Sequence, residues 1–159
     1  MANTLVVYFS ATGNTREAAR TLADAIGAGL EEIVPAEPYT AADLNWRNAR
    51  SRVCLEHEDR SMRPALARDP SPEGYDEIFL GYPLWWETAP RLVRTWLEGH
   101  DLSGKRLTTF ATSSMSLRGT DGAQLHDSAP DADWVDGRRV AANVGAREVR
   151  TWANSVSRA

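Results

Sequence analysis

Several features that narrow the function of a protein are scarce in this chain of 159 residues. Cys54 is its one cysteine, so no intramolecular disulfide framework can form, and one thiol cannot by itself hold a zinc ion or an iron–sulfur cluster. Positive charge is not in excess, since 18 Lys and Arg face 22 Asp and Glu, which argues against a nucleic-acid-binding scaffold. No segment approaches the ~20 apolar residues that cross a bilayer.

The N-terminus lacks the pattern of a secretory signal peptide. No basic residue precedes the apolar run at residues 5–9, and that run is too short for the apolar core of a signal peptide. The sequence therefore predicts a cytoplasmic protein with no membrane contact. Its length and its hydrophobic content of 42% predict one domain over residues 1–159.

Strand-like and helix-like segments alternate along the chain. Residues 5–9 are typical of a central parallel strand, and apolar residues then recur at helical spacing up to Gly27. Further strands are predicted at 30–34, which is nearer an edge, at 75–81, at 105–111, and near Trp134 or 138–140. Helices are predicted at 41–56, from Pro90, near Gln124 and at 145–157, whereas 57–74 should be irregular. The alternation predicts a doubly wound α/β sheet, in which ligands bind beyond the carboxyl ends of the strands.

The loop after the first strand is rich in groups that bind anions. The side chains that can donate to a phosphate are Ser10, Thr12, Asn14 and Thr15. Gly13 permits close backbone approach, and the following helix directs its N-terminal N–H groups at the same point. The alternative is a turn that only caps this helix. Neither a P-loop lysine nor a G-x-G-x-x-G fingerprint is present, which argues against ATP and a Rossmann-bound NAD.

Two later loops should lie at the same edge of the sheet. The segment Pro83, Leu84, Trp85 and Trp86 offers two large aromatic surfaces that suit a flat heterocycle. The segment Thr112, Ser113, Ser114 and Met115 either supplies hydroxyls to a ligand or simply ends a strand. The remaining tryptophans, Trp46, Trp96, Trp134 and Trp152, are interpreted as core or groove fillers. The three loops together predict one ligand with a phosphate, a polyol and a planar ring.

Three motifs of the chain resemble the flavodoxins, in particular the short flavodoxin-like family. They are SATGNTR from Ser10, GYPLWW from Gly81, and a segment from Gly104-Lys105 to Phe110-Ala111-Thr112-Ser113. The resemblance extends over about residues 4–156. It implies a single flavodoxin-like domain whose five-stranded parallel sheet has the order 2-1-3-4-5 and helices on both faces. It also implies non-covalently bound FMN.

The resemblance further implies which residues contact the FMN. The phosphate would be held by Ser10, Thr12, Gly13, Asn14 and Thr15, and the isoalloxazine by Pro83, Leu84, Trp85, Trp86 and Glu87 together with Thr112, Ser113, Ser114 and Met115. Glu87 replaces a glycine of many relatives, and a non-glycine residue resists the positive φ that a turn toward the ring often needs. No aromatic residue lies between Thr112 and Ala132, so the outer face of the ring is open, covered by Met115, or covered by a partner subunit.

The function that the resemblance implies is electron transfer at low potential between redox partner proteins, a reductase and an electron acceptor, by a monomer or weak homodimer. Side chains would perform no bond chemistry. An open ring face instead favours an NAD(P)H-dependent quinone or flavin oxidoreductase, and a flavin-free, partner-binding scaffold is a third alternative. No metal site is predicted, because the three histidines show no ligand spacing. The charged run at 56–60 is a solvated helix end, or lies beside the flavin if the next loop folds over the site.

Overall fold

A computed structural model describes residues 3–157 of the chain. Its strands are β1 (Thr4–Tyr8), β2 (Gly29–Glu32), β3 (Val34–Pro35), β4 (Leu66–Arg68), β5 (Glu77–Pro83), β6 (Arg106–Thr112) and β7 (Asp133–Arg139). Its helices are α1 (Asn14–Ile26), α2 (Arg52–Glu58), α3 (Arg91–Glu98) and α4 (Ala146–Val156), with a 3₁₀ helix at Ala123–Ser128. None of the helices in this described part is long and apolar enough to cross a membrane.

Five of the strands form a parallel sheet in the order β2-β1-β5-β6-β7. Numbered by their succession within this sheet, the strands run 2-1-3-4-5 with β2 at an edge, which confirms the predicted topology. The register pairs Leu5 with Ile78 and Ile78 with Leu107. The carboxyl ends of β1, β5 and β6 therefore meet at one edge, which carries the three predicted ligand loops.

Both faces of the sheet are covered, because successive side chains of its central strands alternate between two apolar clusters. On β1, Val6 and Tyr8 face a cluster formed with α1 and α4, whereas Leu5 and Val7 face one formed with α3. Trp96 fills the α3 side as a fully buried side chain. Its predicted role as a core filler is confirmed.

The predicted helix at 41–56 is wrong over most of its length, since helix α2 begins only at Arg52. Residues 40–51 form consecutive turns, in which side-chain oxygens accept hydrogen bonds from nearby backbone N–H groups. Thr40 Oγ1 accepts from Asp43 N at 3.1 Å, and Asn45 Oδ1 accepts from Arg47 N at 3.1 Å. Such local bonds compete with the helical ladder.

The segment 57–74 is not wholly irregular. Its strand β4 pairs antiparallel with β3 in a separate two-stranded sheet, where Val34 lies opposite Arg68. The predicted strand at 30–34 is correspondingly divided between β2 and β3. The weak helix predicted near Gln124 is the 3₁₀ helix, and β7 is the less defined strand. The pairing of β3 with β4 spans about 30 residues, so local periodicity could not predict it.

Candidate functional site

The loop between β1 and α1 folds into a backbone cradle at the helix N-terminus. Ser10 Oγ accepts hydrogen bonds from Gly13 N at 3.0 Å and from Arg16 N at 3.2 Å. Gly13 has a φ of 99°, in the left-handed region that favours glycine. Asn14 and Thr15 open the first turn, where a helix leaves its backbone N–H groups without intrahelical partners. The cradle therefore offers neutral donors and the positive end of a helix dipole to an anion.

Arg16 belongs to a different interaction. Its Nη2 donates to Glu32 Oε2 at 2.7 Å, at the end of β2, and this hydrogen bond raises the pKa of the guanidinium above its ordinary value. Ser10 and Arg16 have the Cys-x5-Arg spacing of low-molecular-weight phosphatases, whose loop arginine binds phosphate. Here Ser10 instead accepts hydrogen bonds that order the loop, and the Arg16 guanidinium is paired with the Glu32 carboxylate at the edge of the sheet.

A cleft of about 350 Å³ begins beside this cradle. Its walls come from three chain segments, and the lining residues are Ala11, Thr12, Leu44, Trp46, Val53, Pro83, Leu84, Trp85 and Trp86. None of these side chains is ionisable. A cavity of this size with a largely apolar and aromatic lining has the character of a small-molecule site.

Each of the two adjacent tryptophans of the second loop packs against other aromatic rings of the protein. Trp85 packs edge-on against Phe9 and Tyr39, with ring centroids 5.9 and 5.5 Å apart. Trp86 stacks on the His57 imidazole at 4.5 Å and an angle of 18°. The charged run at 56–60 thus touches the aromatic loop through His57. Burial, followed by the nearby Arg91 charge, lowers the pKa of His57.

The second loop is a tight turn with an unusual sequence. Trp85 N donates to Thr88 O at 2.9 Å and Thr88 N to Trp85 O at 3.0 Å, which closes the turn around Trp86 and Glu87. These two residues have φ values of 48° and 62°. Two positive φ values define a type I′ turn, whose usual sequence is Asn-Gly. Glu87 therefore adopts the positive φ that a non-glycine residue resists: closure by Thr88 and packing of the neighbouring loop hold it there, at a cost of about 1–3 kcal/mol.

The third loop is fastened to both of the others. Thr112 Oγ1 shares a hydrogen bond of 2.7 Å with Thr15 Oγ1, and both side chains are buried. Further along, Gly119 packs so closely on the turn that an added Cβ would lie 1.8 Å from Glu87 O. Tyr82 Oη donates to Gly119 O at 3.0 Å, and burial raises the pKa of Tyr82 to about 12.

The remaining predicted residues of the third loop stand outside the cleft lining. Arg139 Nε and Nη2 donate to Ser113 O at 2.8 Å and to Ser114 O at 2.7 Å, which holds the two carbonyls toward β7. Ser113 Oγ donates to Ser116 O at 2.7 Å. Met115 is 84% exposed. The structure places Ser113, Ser114 and Met115 at the sheet edge without bringing them into contact with the aromatic cleft.

No sequence pattern predicted that the segment 40–53 belongs to the site. The segment contributes Leu44, Trp46 and Val53 to the cleft, and Trp46 is 64% exposed, which contradicts its interpretation as a core or groove filler. The only local signal was the large apolar side chain of Trp46 within a polar, arginine-rich stretch. That signal could not identify the cleft, because the cleft forms only where the loop after β1, the segment 44–53 and the loop after β5 meet in space.

A partly buried polar network supports this segment from beneath. Tyr39 Oη donates to Glu56 Oε1 at 2.5 Å, and Arg52 Nε donates to Glu56 Oε2 at 2.8 Å. The Arg52 guanidinium lies 3.8 Å from the centre of the Tyr39 ring. Burial, together with the bond to the Glu56 carboxylate, raises the pKa of Tyr39 well above its ordinary value. The network fixes α2 against the aromatic cluster behind the cleft.

Comparisons with known proteins agree with this architecture. The sequence matches a protein-family profile described as Flavodoxin over residues 3–156. The chain belongs to the flavodoxin family. The family prediction from the three motifs is thereby confirmed. A comparison with curated protein sequences gave no match.

Several solved structures resemble this flavodoxin-family chain. A presumed flavoprotein from Bacteroides eggerthii is 42% identical, with a TM-score of 0.92 and 100% coverage of both chains. Another from Bacteroides uniformis is 40% identical, with a TM-score of 0.89, covering 96% of this chain and 98% of that one. A Lactobacillus acidophilus flavoprotein in complex with FMN is 18% identical, with a TM-score of 0.67 and coverage of 96% and 99%, and shows the shared fold.

Proposed function

We propose that this protein binds FMN non-covalently and carries electrons at low potential between redox partner proteins. One observation carries the proposal: Ala11 and Thr12 belong to the anion-binding loop and also line the aromatic cleft. A phosphate site and a site for a flat ring are therefore continuous, as a flavin mononucleotide requires. Membership of the flavodoxin family supports FMN as the ligand, as does the FMN complex of the Lactobacillus acidophilus relative.

The residues present fit the chemistry of this ligand. The hydroxyl and N–H donors of residues 10–15 suit a phosphate dianion at a helix N-terminus. The hydrophobic and aromatic lining gives a planar ring large surfaces to pack against. Pro83, Leu84, Trp85 and Trp86 are the ring-contacting residues of the proposal, with Glu87 shaping the turn. Thr112 acts on the phosphate loop through Thr15, whereas Ser113, Ser114 and Met115 form the rim of the site.

Electron carriage, rather than side-chain catalysis, is favoured by the lining of the cleft. FMN supplies reversible one- and two-electron chemistry. None of the nine lining side chains can donate or accept a proton at ordinary pH, since Thr12 carries their only hydroxyl and the others are apolar or aromatic. An apolar environment without a cation in its lining disfavours added negative charge on the ring. We therefore propose a midpoint potential below that of free FMN.

The visible spectrum of the purified protein, followed by identification of the released chromophore, tests the cofactor. A flavin spectrum that yields FMN is expected. Binding of FMN and of riboflavin should then be compared by calorimetry, because the loop at 10–15 favours the phosphorylated ligand. A colourless protein that takes up no added FMN would overturn the proposal and favour a partner-binding scaffold.

Addition of NADPH without a reductase distinguishes the carrier from an oxidoreductase. The flavin spectrum should persist with NADPH and bleach with dithionite or with an added flavodoxin reductase. Rapid bleaching by NADPH alone would instead identify an NAD(P)H-dependent oxidoreductase. A redox titration with a midpoint no lower than that of free FMN would contradict the low-potential part of the proposal. We also propose that the redox partners are a reductase and an electron acceptor, and that the protein is a monomer or a weak homodimer.

A further inference from the structure

Trp46 is the most exposed of the aromatic residues that line the cleft. Its side chain is 64% exposed, compared with 41% for Trp86, and Trp85 is only partly exposed. An indole that lines an apolar cavity and also retains most of its surface gains from a ligand that covers it. Trp46 therefore offers the most exposed aromatic surface among the residues that line the cleft.

The other two tryptophans of the cleft are already committed to packing within the protein. Trp85 contacts Phe9 and Tyr39 at the base of the cleft. Trp86 has the His57 imidazole stacked parallel to its ring. These contacts position the 83–86 wall of the cleft. They leave the wall formed by residues 44–53 to provide a second aromatic surface.

Trp46 is held in place by its backbone. Cys54 Sγ donates to Trp46 O at 3.3 Å, which links the residue to helix α2. Val53 N donates to Asp43 O at 3.1 Å and closes the segment into a loop. The Arg47 guanidinium lies over the Trp46 ring, 5.1 Å from its centre. A side chain on a fastened backbone loses less conformational entropy when it packs against a ligand.

We propose that Trp46 packs on the isoalloxazine ring and closes the side of the cleft that faces loop 83–86. This inference rests on the proposed binding of FMN. Residues 44–46 then cover the outer face of the isoalloxazine ring. Met115 does not, because it lies outside the cleft lining. A ring covered by Trp46 is also shielded from stacking with a free nicotinamide, so this residue favours electron carriage over direct hydride transfer.

The test compares Trp46→Ala and Trp46→Phe with the wild-type protein. Trp46→Ala should weaken binding of FMN about tenfold, equivalent to about 1.4 kcal/mol, in line with aromatic stacking on a planar base. Riboflavin binding should weaken by the same factor, because the residue acts on the ring and not on the phosphate. Trp46→Phe should recover most of the affinity. The visible circular dichroism of the bound flavin should change in Trp46→Ala and return toward wild type in Trp46→Phe.

Leu55→Ala is the matched control. Leu55 is an exposed apolar residue of α2 that is absent from the cleft lining, so its truncation should leave both affinities and the spectrum unchanged. Wild-type affinities and an unaltered flavin spectrum in Trp46→Ala would overturn the inference while leaving FMN binding intact. Loss of FMN binding with unchanged riboflavin binding would also overturn it. A wild-type protein that binds no flavin would overturn the proposed function and this inference together.

Discussion

The hydrogen bond between Thr15 and Thr112 joins the loop at 10–15 to the third loop, and a double-mutant cycle can measure it. The two hydroxyl oxygens lie 2.7 Å apart, and the residues are 1% and 7% exposed. Replacing either threonine with valine keeps the shape of the side chain and removes one hydroxyl. The hydroxyl left behind has little access to water.

The expected magnitudes follow from this geometry. A buried polar group left without a partner costs about 1–3 kcal/mol, so Thr15→Val and Thr112→Val should each lower the free energy of unfolding by about 2 kcal/mol. Removing both hydroxyls leaves neither unpaired, and the double variant should lose no more than about 1 kcal/mol. The coupling energy between the two positions is then about 3 kcal/mol.

Urea unfolding of the flavin-free protein is the appropriate assay, because a bound ligand would add its own stabilisation. With a slope of about 2 kcal/mol per molar urea, each single variant should shift the midpoint by about 1 M. Thr108→Val is the control, since Thr108 is fully buried and its hydroxyl has no hydrogen-bond partner within residues 3–157. That variant should be neutral or stabilising. Single effects below about 0.5 kcal/mol that simply add would refute the role assigned to the pair.

Three further outcomes follow from other contacts. Gly119→Ala should lower the free energy of unfolding in urea by about 3 kcal/mol, because the added Cβ would meet Glu87 O. Gly104 also has a positive φ, but the space around it is open, so Gly104→Ala should lower it by only about 1 kcal/mol. Glu87→Gly should raise the melting temperature by about 2–4 °C, since glycine relieves about 1 kcal/mol of strain at a φ of 62°; an unchanged or lower value would contradict this. The pKa of His57 is lowered by burial and by Arg91, so its contribution to stability is complete above about pH 6.5 and is lost as pH falls toward the folded pKa. The free energy of unfolding should depend less on pH in His57→Gln than in the wild-type protein. Identical pH profiles would contradict the contribution assigned to His57.

The central strands and the order of the ligand loops could be predicted because local patterns report them directly. The continuous apolar run at 5–9 indicated a strand covered on both faces, and β1 contributes to both apolar clusters. Helix α1 followed from apolar residues at helical spacing. Helical spacing does not predict the structure at 41–56, where Thr40 and Asn45 bond to nearby backbone groups and interrupt a helix-like pattern.

The residues against which the aromatic side chains pack could not be predicted from local patterns. Adjacent tryptophans indicated an aromatic site, but the stacking of His57 on Trp86 depends on α2 lying against the β5 loop. A non-glycine residue resists positive φ, yet the turn closed by Thr88 holds Glu87 there. Such contacts link residues distant in sequence and can override the intrinsic preference of one residue.

The sequence by itself determined the alternation of strands and helices, and it placed a hydroxyl-rich loop and an aromatic loop at the carboxyl ends of parallel strands. Hydrophobic periodicity and turn chemistry act over a few residues, so they can be read along the chain. Only the tertiary structure decided that Trp46 lines the cleft, that Thr15 meets Thr112, and that Met115 stands outside. These outcomes depend on packing between segments separated by tens of residues, and no local pattern encodes that packing.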